Sequence, residues 1–143
     1  MSGNIKRRDV LAGLTAAGSA GLLPAGAQTA IRGVPPAIIK DITVIATAPA
    51  GLRLSVVKIT TDQDGLYGYG CATFTQRADL VKPAVEKYLK PFLLGKTTDR
   101  IEDIWQSCYD SSYWKNGPVL NNALSGIDQA LWDIKGRQAN MPV

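Results

Sequence analysis

Asp128, Asp133 and Lys135 stand close together near the end of a 143-residue chain, and a carboxylate beside a lysine is a simple pairing for moving a proton. On a helix such partners must lie three or four residues apart to meet. The spacings here are five, two and seven, so the three read as solvated or structural charges. Glu86, Glu102 and Asp103 fall on predicted helix faces, where they solvate the surface or complement a helix N-terminus. The chain contains no His, which removes Ser/His and Cys/His nucleophilic pairs and zinc sites of the usual Cys/His type. Cys71 and Cys108 show no CxxC spacing; they read as small buried hydrophobes, with a disulfide left open because spacing alone cannot bring two Cα atoms together.

Gly65-Leu66-Tyr67-Gly68-Tyr69-Gly70 is glycine-rich, yet a phosphate-binding loop places its glycines in a turn that opens a helix. Here Gly68 and Gly70 alternate with tyrosines inside a strand pattern, which predicts close backbone packing or a bulge. The remaining polar cluster is the loop at residues 73–77. Thr75 and Gln76 can each donate and accept hydrogen bonds to hydroxyls, and Arg77 can grip a carboxylate with two parallel bonds. Those groups suit a polyhydroxylated acid.

The elements that must hold this loop are legible from periodicity. Residues 38–46, 52–61 and 66–73 are β-branched or aromatic runs of strand length, separated by Pro49-Ala50-Gly51 and Asp62-Gln63-Asp64-Gly65. Connections this short predict an antiparallel meander. In the second run, one end reads as half polar and the other as buried on both faces. After residue 77 the period changes to about 3.6. Leu80, Val81, Ala84, Val85, Tyr88, Leu89 and Phe92 form a predicted apolar stripe, with a helix start just before Pro83 and an end forced by Pro91 near residues 92–95. Thr97 or Thr98 is the expected cap of a second helix through Ile101, Ile104, Trp105 and Cys108. After Asn116-Gly117-Pro118, Leu120, Leu124, Ile127, Leu131 and Ile134 share one side of a third helix, widened by Ala123 and Ala130. The fold class expected is α+β, a three-stranded antiparallel meander followed by a helical bundle.

Composition, at 45% hydrophobic and 20% charged, fits one ordinary soluble domain. Half of the net charge of +4 comes from Lys6, Arg7 and Arg8 against Asp9. The rest is scattered, leaving no basic stripe with interleaved aromatics to track nucleic acid. The basic start is followed by an uncharged run, residues 10–23, and then by the small residues Ala25-Gly26-Ala27, which together predict a signal peptide over 1–27. The run is too short and glycine-rich for a membrane span. A disordered extension or a retained anchor is the plainer alternative. Arg7-Arg8 followed by Asp9-Val10-Leu11 resembles a twin-arginine export signal, implying the bacterial periplasm. Residues 28–37 read as a linker and 38–143 as the folded domain.

Two stretches, Ile101-Glu102-Asp103-Ile104-Trp105 and Ala130-Leu131-Trp132-Asp133-Ile134-Lys135-Gly136, carry a resemblance to a known family. They resemble the end of the N-terminal capping domain in the mandelate racemase and muconate lactonizing enzyme branch of the enolase superfamily, nearest to the mannonate dehydratase-like sugar-acid dehydratases. The resemblance implies a lid over a (β/α)8 barrel that follows Val143. It implies a Mg²⁺-dependent enzyme that removes an α-proton and eliminates a β-hydroxyl from a sugar acid. The metal ligands and catalytic groups would lie on the barrel, none of them in this chain. It implies substrate contacts from Thr75, Gln76 and Arg77, and a homo-oligomer for the complete enzyme. Mannonate-type relatives read Asn-Gly-Arg at this loop; Arg77 matches and Thr75 and Gln76 depart, which leaves the acid open. The short first loop, Ala48-Pro49-Ala50-Gly51, argues against a small hydrophobic substrate. Trp105 and Trp132 are expected in the core, and Tyr113-Trp114-Lys115 in the core or a subunit interface. A racemase or epimerase would share the same enolate and the same lid. A stand-alone interaction module is the alternative from another class. Against it stands the expectation that the last helix stripe would face water without a barrel beneath it.

Overall fold

The computed structural model describes residues 35–113 and 115–143. The predicted signal peptide and most of the linker lie outside the described residues. Three strands, β1 (Ile39–Thr47), β2 (Leu54–Thr61) and β3 (Tyr67–Cys71), form an antiparallel sheet in the order β1-β2-β3. The register sets Ile42, Ile59 and Gly68 in one row and Val44, Val57 and Gly70 in the next. Strict alternation holds along β2: Ser55, Val57, Ile59 and Thr61 are buried, and the residues between them are half-buried. The expected double-sided burial at the end of β2 is therefore absent, because helices cover only one face of the sheet.

Residues 78–93 form one continuous helical element, α1: Ala78–Pro83 is α-helical, Ala84–Leu89 is a π-helical stretch, and Lys90–Leu93 is α-helical again. Pro83 stands inside the helix and not in its first turn. Neither Pro83 nor Pro91 offers an N–H to the turn before it, and the wider π turns lie between them. The helix closes at Leu93, as Pro91 predicts, and Gly95 takes φ +81° in the turn that follows. Its buried face is Ala78, Val81, Ala84, Val85 and Leu93; Leu80, Tyr88 and Phe92, expected in the stripe, lie on the surface.

The second helix, α2, spans Ile101–Asp110 with Arg100 at its N-cap and no side-chain cap. Thr97 and Thr98 serve elsewhere. Thr97 forms a bridge with Ile38, the Thr98 amide donates to the Ala37 carbonyl at 2.8 Å, and Ile39 donates its amide to the Lys96 carbonyl at 2.9 Å and accepts from the Gly95 amide at 3.0 Å. Backbone groups of this connection are satisfied by pairing with the start of β1. Glu102 and Asp103 occupy the first turn of α2, where acidic groups favour the helix dipole.

The third helix, α3, runs from Pro118 to Ala139 (Pro118–Ala139). Leu124, Ile127, Leu131, Ile134, Ala123 and Ala130 are buried as the period predicts, whereas Leu120 is exposed. They pack with Ile42, Val57 and Ile59 of the sheet and Val81 and Val85 of α1 in one core. The stripe is thus covered by its own domain, which removes the objection that it would face water alone. Trp105 and Trp132, expected inside, are 39% and 45% exposed; Trp105 stacks on Tyr109 with ring centroids 5.1 Å apart. Tyr113 is exposed, and the Trp114 side chain lies outside the described residues.

Glycine lets α3 approach β3 backbone to backbone. A Cβ on Gly70 would fall 2.0 Å from the Gly126 carbonyl oxygen, and one on Gly68 would fall 2.0 Å from that of Ala130. This confirms close packing as the role of those glycines. Beside the seam, Cys71 and Tyr69 donate their outward amides to Gln129 Oε1 at 3.0 Å and Asp133 Oδ2 at 2.9 Å. Gln129 also donates to Ser125, and Arg137 to Asp133. Four side chains at successive i, i+4 positions thus line β3, and Asp133 is structural.

Candidate functional site: two loops at one end of the sheet

Antiparallel pairing sends the β1–β2 turn and the exit of β3 to the same end of the sheet. In the first loop, Pro49–Gly51 makes a single tight turn in which Ala50 and Gly51 take φ of 51° and 80°. The second loop is tied down before its tip. Ala72 N–H donates to the Ser55 carbonyl at 2.8 Å and Ser55 N–H donates to Thr73 Oγ1 at 3.1 Å. Phe74 packs partly buried against the core. Thr75–Arg77 then forms one 3₁₀ turn, closed by the Arg77 amide on the Phe74 carbonyl at 3.0 Å.

All three residues predicted to meet substrate share this turn and are exposed. The Arg77 guanidinium bonds only to the neighbouring Gln76 carbonyl, at 3.1 Å, among the described residues. Asp79, two residues further on, lies 3.6 Å from Arg53 of the first loop. Arg53 escaped the sequence reading, although a basic residue two positions past Gly51 was the signal for it. Arg53, Asp79 and Lys82 line an open hollow of ≈ 450 Å³ between the first loop and α1; Thr75, Gln76 and Arg77 stand outside it. Arg53 pairs with Asp79 and Lys82 with Glu86 at 4.0 Å, which leaves Arg77 as the excess positive charge at this end, and that favours an anionic visitor.

A second hollow, of ≈ 430 Å³, lies between α1, α2 and the start of α3 and is lined largely by Tyr88, Phe92, Tyr109, Leu120 and Leu124. Cys108 in its wall is pushed up to about 11 by burial, so its thiol stays uncharged. That apolar lining has little to offer a polyol. Cys71 is exposed, against expectation, and both cysteines are free. Among the described residues no three Asp, Glu or Cys side chains gather as a metal site, so no step through a metal is derived from this chain.

The geometry of a sheet end carrying two short loops, backed by three helices, has a counterpart among known proteins. The family model described as mandelate racemase / muconate lactonizing enzyme, N-terminal domain, matches residues 28–143. The chain belongs to this family. Within it, a D-galactonate dehydratase family member of Enterococcus gallinarum is 65% identical over 106 residues, 74% of this chain and 26% of that protein. The family member RspA of Pantoea ananatis is 64% identical over 105 residues, 73% of this chain and 25% of the relative. A crystal structure of an enolase from Pantoea ananatis, with bound D-gluconate and Mg, superposes with a TM-score of 0.71 at 63% identity, covering 72% of this chain and 25% of that one. The chain therefore spans about a quarter of the length of the relatives it matches. The three-stranded sheet with its helices is the capping domain of the enolase superfamily.

Proposed function

We propose that this domain is the lid of a sugar-acid dehydratase, joined to a barrel domain that supplies the catalytic groups and binds Mg²⁺. The observation that carries this reading is the 65% identity to a D-galactonate dehydratase family member. It is supported by the D-gluconate and Mg held by the structure that is 63% identical. Galactonate and gluconate are both aldonates. The reaction proposed removes the proton α to the carboxylate and expels the β-hydroxyl as water. When bound, Mg²⁺ would stabilise the enediolate between those two events.

The work of this chain is binding and exclusion of water. Thr75 and Gln76 hydrogen-bond substrate hydroxyls, and Arg77 pairs with its carboxylate once released from the Gln76 carbonyl. The short loops close the mouth of the barrel while chemistry proceeds below. Export by a twin-arginine signal in residues 1–27 belongs to the same proposal, supported by Arg7-Arg8 and the uncharged run over 10–23, as does assembly of the complete enzyme into a homo-oligomer.

The test is a panel of aldonates given to the complete enzyme, wild type and Arg77→Ala. A charge-assisted hydrogen bond contributes about 1.5–3 kcal/mol, so kcat/KM on the true substrate should fall about 10–100-fold. The product should be the 2-keto-3-deoxy acid. An epimer instead would assign the lid to a racemase, and kcat/KM unchanged across the panel would remove Arg77 from the site.

A further inference from the structure

Ala84, Tyr88 and Leu89 stand in the π-helical stretch of α1, and all three line the hollow of ≈ 430 Å³ between α1, α2 and the start of α3. Turns of that kind are rare and frequently mark functional sites. The other walls include Cys108 and Tyr109 of α2 and Leu124 of α3. A space of this size with an aromatic and aliphatic lining has the general form of a small-molecule site, in which a few polar groups fix orientation.

The polar groups around it differ in what they can still bind. Lys115 is committed to Asp110, which also accepts from Gln106 at 2.7 Å. The Asn121 side chain bonds to no described residue, so its amide can donate and accept. Lys96 is half-buried and forms no ion pair among the described residues. Its ammonium lies 3.7 Å from the centre of the Phe92 ring, part of the hollow's wall. Burial raises the pKa of Cys108 and the charge of Lys96 pulls it the other way, so this ammonium stands close to two of the lining residues. Among the described residues no Asp or Glu lines the hollow. An ammonium drawn partly out of water and held only by an aromatic face keeps its donors for an anion.

We propose that this hollow binds a small amphiphilic carboxylate, with its aromatic or branched aliphatic body among Tyr88, Phe92, Tyr109 and Leu124 and its carboxylate on Lys96. Lining and charge choose this occupant together. A neutral hydrocarbon would leave Lys96 unused, and a sugar acid would bring hydroxyls to walls that cannot bond them. The site is independent of the dehydratase reading, because Thr75, Gln76 and Arg77 line no part of it.

The probe is 4-phenylbutyrate, titrated calorimetrically into the 143-residue chain and into the complete enzyme. The alcohol 4-phenyl-1-butanol has the same body without the charge. A ligand of about 12 heavy atoms should bind with Kd on the order of 1 mM or tighter. The alcohol should bind about 10-fold more weakly. Lys96→Met should bring the acid down to the alcohol's affinity and leave the alcohol unchanged, whereas Leu120→Trp, at the hollow's rim, should weaken both. Amide shifts in the labelled chain should fall within residues 84–92 and 108–124. Equal affinity for acid and alcohol, an acid affinity untouched by Lys96→Met, or shifts elsewhere overturns the proposal. So does displacement of the probe by excess gluconate, which would place it in the sugar-acid site. Binding lost in the complete enzyme would assign the hollow to a contact between domains instead. The same shifts on concentrating the unliganded chain would assign it to a second copy.

Discussion

Gly70→Ala should be among the most damaging single-methyl changes in this domain. The added Cβ would lie 2.0 Å from the Gly126 carbonyl oxygen and 2.7 Å from the Ala130 amide nitrogen, both backbone atoms of α3. An ordinary carbon–oxygen contact needs about 3.3 Å, so the helix must retreat by roughly 1.3 Å. Such a shift loosens Leu124, Ile127 and Leu131 in the core and stretches the bonds from Gln129 and Asp133 to β3. Overpacking of this kind costs about 3 kcal/mol or somewhat more, which corresponds to a fall in Tm on the order of 10–20 °C for a domain this size. Gly65→Ala is the control. Gly65 has φ +75° with nothing within 4 Å of the added methyl, so only the left-handed backbone is penalised, by about 1 kcal/mol. Thermal unfolding of both variants, followed by circular dichroism, reads the difference. If Gly70→Ala melts within a few degrees of the parent, or Gly65→Ala proves the worse, the close seam between β3 and α3 is wrong.

A thiol reagent at pH 8 should label Cys71 in the native domain and reach Cys108 only on unfolding, because one is exposed and the other buried with its pKa at about 11; two equally fast thiols would contradict the core. Lys90 lies 2.6 Å from Asp41 and holds that carboxyl below its ordinary range. A depressed carboxylate pKa contributes stability above the unfolded value, about 3.9, and that stability is lost as pH falls through the lower folded value. Lys90→Met should therefore flatten the dependence of Tm on pH below about 4, and an unaltered acid limb would dismiss the pair.

The three strands were legible because their breaks, Pro49-Ala50-Gly51 and Asp62 to Gly65, are turn residues and each run is strand-like; the bounds differ by only one or two residues. Spacing on α3 identified its buried side for the same reason, a long amphipathic period. Local reading failed where a partner lies far away in sequence. Thr97 and Thr98 look like caps, but pair with Ile38 and Ala37 some sixty residues earlier. Trp105 and Trp132 look like core residues, but only tertiary geometry tells which side of a helix meets the sheet. At the loops, residue type alone picked out Thr75, Gln76 and Arg77. The contacts around them, the Ser55 amide of β2 on the Thr73 hydroxyl and the Arg53–Asp79 pair between the first loop and α1, join segments that lie far apart in the sequence.

One margin of the sheet, along β3, is occupied, and the other is paired only at its start. Along β3 the outward amides of Tyr69 and Cys71 are occupied by Asp133 and Gln129, and at the start of β1 the Gly95–Thr98 connection pairs with residues 37–39. Once α3 has docked, the β3 margin therefore offers little template for strand addition, the usual route by which small sheets misassociate. Before Gln129 and Asp133 arrive, β3 is a bare margin. The order of docking during synthesis, with α3 emerging last, sets how long the domain is exposed to aggregation.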